Sequence, residues 1–329
     1  MSKRCDVMKG SLFKSGALAL IILFMIVFPF LTGMSGYWLT LFVMMAIYAV
    51  TAVSLNIMIG YGGLVSIGHA GFLMIGSYTV AIISERFEWP FLLTFLLSGI
   101  VTALIGLVVA LSAVKLKGHF LAVVTLGFGI SIPVIALNWN ALTNGYSGLL
   151  ISRPDVLSDE LAMYYFVMLC TVLFLWFMYN IIRSSIGRAF VSIRESEVAA
   201  QSSGINLTFY KAMMFVISSF FTGLAGGLYA YWIGFAGPTD FPVTTSFLLL
   251  AMIVVGGMHS FYGPILGAVL LSIIPHFTDE YMGITNVVIG LLLVFIILFR
   301  PDGLVTVVEW FTRNQKAKPL DTIREERGA

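Results

Sequence analysis

Between residues 15 and 84 the chain carries no aspartate, glutamate, lysine or arginine, a run of 70 residues. A water-facing domain cannot be built from such a stretch, because about a quarter of a soluble protein's residues are charged. A single helix needs about 20 apolar residues to cross roughly 30 Å of hydrocarbon, so the run must fold back on itself. Further charge-free runs cover 89–114, 118–152, 161–182, 212–239, 241–278 and 281–299. The whole chain has 59% hydrophobic and 10% charged residues with a net charge of +2. That balance excludes an ordinary cytosolic enzyme, a nucleic-acid binder with a basic face and a disordered chain. The expected class is an all-α polytopic membrane protein.

Breaks at 32–36 and 60–63 divide the first run into three helices, and the run 241–278 splits near 256–262. Run 118–152 ends in a polar stretch at 138–147 and supplies one helix and a loop. The sum is about ten transmembrane helices, several of them short, broken or glycine-rich. Threading them with both termini inside places 16 of the 18 Lys and Arg in the cytoplasm and leaves Arg86 and Arg153 outside. That asymmetry is what the positive-inside rule requires. The basic start followed by apolar residues 17–30 reads as a retained first helix, since Pro29 and bulky neighbours make a poor cleavage site. The plan is a cytoplasmic N-terminus at 1–14, a transmembrane domain at 15–299 and a solvated cytoplasmic tail at 300–329.

Glycine carries the next message. The stretch from Gly60 to Gly71 and that from Gly256 to Pro264 are too glycine-rich for plain lipid-facing helices. Irregular backbone at membrane depth survives only where protein or a water-filled cavity satisfies it, and transporters place such breaks beside the solute path. Close helix packing competes with that reading, and Gly223/Gly227 and Gly263/Gly267 have the spacing for it. Tyr61, Ser66, His69 and Asn144 are the polar groups placed to touch a solute. For His69 the alternative is a neutral ring bonded to a helix carbonyl. His69, His119, His259 and His276 have no metal-ligand spacing. No Walker lysine loop, Ser-His-Asp order or carboxylate dyad occurs, so no cofactor or catalytic residue is expected. Cys5 and Cys170 form no disulfide framework.

The long internal loop at 183–211 is the most specific segment. Ser192 and Glu195 have capping-box spacing, Glu197 follows in a first turn that favours anions, and Gly204 stands as a helix stop. The expected product is a short surface helix with a small Ala199/Ala200 patch ringed by charge, suited to docking in a groove of another protein. A solvated connector would obey the same capping rules.

Four motifs in order then resemble one family. Leu55-Asn56, Gly60-Tyr61, Gly63, Ser66, Gly68-His69-Ala70, Phe72, Ile75-Gly76 and Tyr78 form the first. The loop from Gly187 to Asn206 is the second. Gly256-Gly257 with Ser260, Gly263-Pro264 and Gly267-Ala268 is the third, and Phe299-Arg300-Pro301 with Gly303-Leu304 the fourth. Together they resemble the LivM-type permease subunits of branched-chain amino acid ABC importers. The chain departs from the pattern at 143–148, where one glycine and an acidic or amide position are lost, and at His259, where glycine is usual.

The resemblance implies inward transport of branched-chain amino acids in a bacterial inner membrane. ATP would be bound by partner subunits and not by this chain. It implies a second homologous permease subunit, two ABC ATPase subunits and an extracytoplasmic substrate-binding protein. It also makes 183–211 the coupling loop, with Arg188, Arg194, Glu195, Ala199, Ala200 and Gly204 facing an ATPase subunit. A permease for urea or another small amide remains open, since related permeases share these motifs. So does a secondary transporter acting alone, although the acidic residues such coupling usually needs in the membrane are missing.

Overall fold

Lipid offers the backbone no hydrogen-bond partner, so apolar segments of this length must satisfy their own peptide groups as helices. The computed structural model describes residues 28–29, 33, 35–87, 89–113, 119–154, 157–278, 284–299 and 303–305. The N-terminal segment, the expected first helix apart from Phe28 and Pro29, and nearly all of the tail lie outside the described residues. Helix α1 spans Gly36–Asn56 and runs on through a π turn at Ile57–Tyr61. Then come α2 (His69–Phe87), α3 (Phe91–Ala113) and α4 (His119–Asn138). A loop follows with α5 (Asn140–Thr143), a 3-10 turn (Gly145–Ser147) and strand β1 (Leu149–Leu150). The second half holds α6 (Glu160–Arg183), α7 (Ser185–Glu195), α8 (Glu197–Ser202), α9 (Leu207–Ile233) and β2 (Phe235–Ala236). It continues with α10 (Val243–Gly256), α11 (Tyr262–Thr278) and α12 (Ile284–Phe299).

Five segments are long and apolar enough to cross a membrane: Gly36–Tyr61, Phe91–Ser112, Phe120–Asn138, Glu160–Arg183 and Leu207–Ile233. Three further apolar stretches, within α10, α11 and α12, are shorter. The 14 residues of α10 extend only about 21 Å, less than the roughly 30 Å of a bilayer core. The break between α10 and α11 falls where the glycines place it. The earlier break does not. Instead of interrupting the chain at 60–63, α1 continues through Gly60 and Tyr61 in the π turn, and the irregular segment covers 62–68.

The centre of the bundle is α1, α2 and α9, with α2 buried from His69 to Ala81. Its contacts depend on absent side chains. A Cβ on Gly226 of α9 would lie 2.0 Å from the Leu73 carbonyl oxygen of α2, and one on Gly76 would lie 2.1 Å from the Gly223 carbonyl oxygen. Small residues bring helix backbones together where the hydrophobic effect supplies no drive between them. The Gly263/Gly267 pair does the same between α10 and α11, where a Cβ on Gly267 would meet the Met252 carbonyl oxygen at 1.8 Å. Around this centre α3 and α4 turn large apolar side chains outward, among them Leu104, Val108, Phe120 and Val123, as lipid- or partner-facing helices do. Pro133 inside α4 removes the amide that would bond the Gly129 carbonyl. At that level a Cβ on Gly129 would stand 2.8 Å from the Gly68 Cα.

Two clasps close the ends. At one, β1 and β2 pair antiparallel, Leu149 opposite Ala236 and Leu150 opposite Phe235. Beside them Arg153 donates to the carbonyls of Tyr231 (3.3 Å) and Trp232 (2.7 Å) near the end of α9. At the other, the Leu304 amide donates to the Val255 carbonyl at 2.9 Å, and Gly303 packs against Gly257, so the third and fourth sequence motifs meet.

The packing makes a paired prediction. Gly226→Ala should destabilise the protein by about 1–3 kcal/mol, as forced overpacking does, read as a lower thermal midpoint in detergent. Gly127→Ala, on a part of α4 with nothing within 4 Å, should be neutral or stabilising by up to about 1 kcal/mol.

Candidate coupling loop and translocation segment

Helix α6 ends at Arg183 and the chain turns sharply into α7. Ser184 accepts the Ile186 amide at 3.1 Å as the cap of α7. The corner demands glycine, since a Cβ on Gly187 would sit 1.9 Å from the Ile182 carbonyl oxygen. Gly187, Ala189, Phe190 and Ile193 form the buried stripe of α7, while Arg188, Ser192 and Glu195 are exposed. The expected cap at Ser192 is therefore corrected. Ser192 lies inside α7 and donates to the Arg188 carbonyl at 2.9 Å. The cap of the following helix is Ser196, which accepts the Ala199 amide at 3.2 Å.

Gly204 does stop α8. It stands at φ +83°, and the amides of Gly204 and Ile205 donate to the carbonyls of Gln201 and Ala200, both at 3.0 Å. This is the Schellman pair of bonds, for which glycine pays no Cβ penalty. Because α8 starts at Ser196, the alanine patch divides. Ala200 is 3% exposed and packs inward, whereas Ala199 faces out beside Val198, which is 77% exposed. A shallow groove of about 330 Å³ runs between the two helices, bordered by Val191, Glu195, Ala199 and Ser203.

Two cations fasten this hairpin to the bundle. Lys211, at 3% exposure, reaches Glu197 with Nζ 2.6 Å from Oε1. Removing Glu197 would leave the buried Lys211 ammonium without its counter-charge. Arg194 pairs with Glu195 at 2.5 Å and donates from Nη1 to the Gly60 carbonyl at 2.6 Å. A Cβ on Gly63 would touch the Arg194 side chain at 3.0 Å. Of the residues expected in the coupling loop, Arg194 thus joins the start of the glycine segment, with the exposed Glu195 paired to it, and Arg188 and Ala199 face solvent.

The segment 62–68 is held by a chain of hydroxyls. Ser66 and His69 are both buried, with Ser66 Oγ 3.1 Å from His69 Nδ1 and Ser218 Oγ 2.8 Å from Nε2. Ser218 donates its own proton to the Ser54 carbonyl at 2.7 Å, so it accepts from Nε2–H, and Nδ1 accepts from Ser66. His69 is satisfied on both nitrogens by hydroxyls, not by a helix carbonyl. Ser54 and Thr222 add a second link between α1 and α9 at 2.8 Å. Thr125 of α4 accepts the Ile67 amide at 3.1 Å, and Ser246 of α10 accepts the Ala70 amide at 3.0 Å.

Tyr61 is half-buried at the end of the π turn. Asn144 is not brought to these residues. It is exposed, at φ 57°, in the loop after α4, where Arg86 from the far end of α2 reaches the Ala141 carbonyl. The 17 positions separating His69 from Arg86 along α2 correspond to about 25 Å. Sequence reasoning missed Ser54, Ser218, Thr222 and Lys211. The i, i+4 pair Ser218/Thr222 inside an apolar run was the available signal, since hydroxyls so spaced share one face.

Among the described residues no cluster of His, Cys, Asp or Glu could hold a metal. His69→Ala should strand the Ser66 hydroxyl, remove the donor to Ser218 and cost about 1–3 kcal/mol. Thermal unfolding should register the loss, with a smaller one for His69→Asn, whose amide restores part of the bonding.

Comparison with known proteins agrees with the geometry. The profile of the family described as branched-chain amino acid transport system / permease component matches residues 37–297. The chain is 32% identical over 289 residues to the high-affinity branched-chain amino acid transport system permease protein LivM of Salmonella typhimurium, covering 79% of this chain and 68% of that one. It is 31% identical over 286 residues to the protein of the same description in Escherichia coli, covering 78% and 67%. The probable branched-chain amino acid transport permease protein LivM of Methanocaldococcus jannaschii is 22% identical over 329 residues, 84% of this chain and 95% of its own length. No solved structure matches. The chain is a multi-pass membrane transport protein and belongs to the family of branched-chain amino acid transport system permease components.

Proposed function

We propose that the chain is the membrane-spanning permease subunit of an ABC importer. It would move branched-chain amino acids inward across a bacterial inner membrane, using ATP hydrolysed by two partner ATPase subunits. A second homologous permease and an extracytoplasmic binding protein complete the assembly. This chain binds no nucleotide and no cofactor itself. The observation that carries the reading is the bond from Arg194 to the Gly60 carbonyl. It joins the exposed α7–α8 hairpin to the π turn that ends α1, two residues before the irregular backbone begins. A push on the hairpin therefore reaches the glycine segment through one side chain, with no intervening element to absorb it.

In this reading Arg188, Glu195 and Ala199 meet the ATPase, Arg194 transmits, and Ala200 and Gly204 keep the hairpin's shape. Tyr61 stands at the inner end of the solute path, Ser66 and His69 hold the segment beside it, and Asn144 lies at the outer mouth. Carbonyls and amides freed from helix bonding suit a zwitterion, which needs no net charge from the wall. The test is Ala199→Arg, whose side chain is already outside the bundle. Membrane insertion and thermal stability should stay within about 0.5 kcal/mol of the parent, while ATP-driven uptake of leucine in the assembled complex is lost. Normal uptake by that variant would return the loop to a plain connector.

The proposed topology has ten spans with both termini in the cytoplasm. It puts Tyr146, 82% exposed in the loop after α4, outside, and Ser203 at the end of α8 inside. Single cysteines at these positions should react with an impermeant thiol reagent from opposite faces of oriented vesicles, Tyr146→Cys from the periplasmic face. Reaction of both from one face would overturn the threading.

A further inference from the structure

The end of the bundle opposite the α7–α8 hairpin holds an open cleft of about 470 Å³ where α2, α3, α9 and the loop after β1 converge. Its wall carries one anion and one cation, Glu85 from α2 and Arg153 from the loop, with Trp89, Phe91 and Leu150 beside them. The two charges make no ion pair with each other, and the Glu85 carboxylate has no salt-bridge partner among the described residues. Arg153 is fixed from behind. Its Nε and one terminal nitrogen donate to the carbonyls of Tyr231 and Trp232, and its guanidinium sits 5.4 Å from the Trp232 ring centroid. A guanidinium has five N–H donors, so this anchoring leaves the other terminal nitrogen for a ligand. The volume is that of a small-molecule site, in the range of about 300–1,000 Å³.

We propose that this cleft is a binding site for a free α-amino acid zwitterion with an apolar side chain. Arg153 takes the carboxylate, Glu85 takes the ammonium, and Trp89 and Phe91 flank the side chain. The site rests on the reading of the chain as an amino acid permease and deepens it, because it gives the solute a place on the permease itself before it enters the bundle. Separated, unpaired charges select against the two half-molecules. An amine leaves Arg153 without its anion and a carboxylate leaves the exposed Glu85 without its cation, so the zwitterion makes one more ion pair here than either half-molecule. The pre-set guanidinium lowers the ordering cost of binding.

Site-directed thiol labelling tests this on the complete transporter in nanodiscs, without binding protein and without ATP. Ser152→Cys and, separately, Leu150→Cys place a thiol on the wall. Leu150 is 78% exposed, so at least that variant should fold. L-leucine at ten times its half-protecting concentration should slow labelling about tenfold, as simple occupancy requires. At the same concentration 3-methylbutylamine and 4-methylpentanoate should leave the rate unchanged. Adding Glu85→Gln should abolish protection by leucine, and Glu85→Asp should retain part of it. Unchanged labelling in leucine, or equal protection by the half-molecules, overturns the site. Protection by ligand-free binding protein with none by leucine also overturns it, and makes the cleft a docking face. The parent complex's ATP-driven leucine uptake is measured alongside. Uptake without protection removes the site and keeps the transport reading, and protection without uptake does the reverse.

Discussion

Backbone inside a membrane must find its hydrogen bonds within the protein, and the seven residues at 62–68 cannot find them in a helix. The surrounding structure answers that constraint. Thr125, Ser246, Ser218 and Ser66 come from α4, α10, α9 and the segment itself to satisfy amides and the His69 ring. Three other helices are thereby tied to this irregular stretch and the start of α2. Gly68 and Gly129 let α4 approach closely enough for Thr125 to reach. An apolar core alone would leave the relative height of these helices loosely set, because lipid tails are as apolar as leucine. The hydroxyls set it.

Most of the helices were legible in the sequence, for a simple physical reason. Where charges are absent for 20 or more residues, lipid permits one conformation, and the break after Gly256 and the stop at Gly204 use backbone states that glycine alone adopts cheaply. What was not legible depended on partners distant in sequence. The π turn at Ile57–Tyr61 coincides with a contact that no local pattern encodes, since a Cβ on Gly60 would lie 1.9 Å from the Met258 carbonyl oxygen. His69 is 149 positions from Ser218, and Lys211 pairs across the loop with Glu197.

The loop at 183–211 was half legible. Its capping residues are right in kind, but three serines compete for each role, and the choice was made by where α6 ends. With Ser184 starting α7 and Ser196 starting α8, the helical period turns Ala199 to solvent and Ala200 to the core. A cap at Ser192 would have given a different exposed face. The cleft beside Arg153 was not legible, because Glu85 and Arg153 stand 68 positions apart and reach one wall only through the packing of α2 against α9.

Helix α9 is gripped at both ends, by the Lys211–Glu197 pair at one and by Arg153 with the two-stranded ladder at the other. Its 27 residues make a rod about 40 Å long. A rod pinned this way cannot slide along its own axis when one end is pushed. Load applied at the α7–α8 hairpin would therefore be carried lengthwise to the Arg153 clasp, and loss of either fastening would leave the rod held at one end alone.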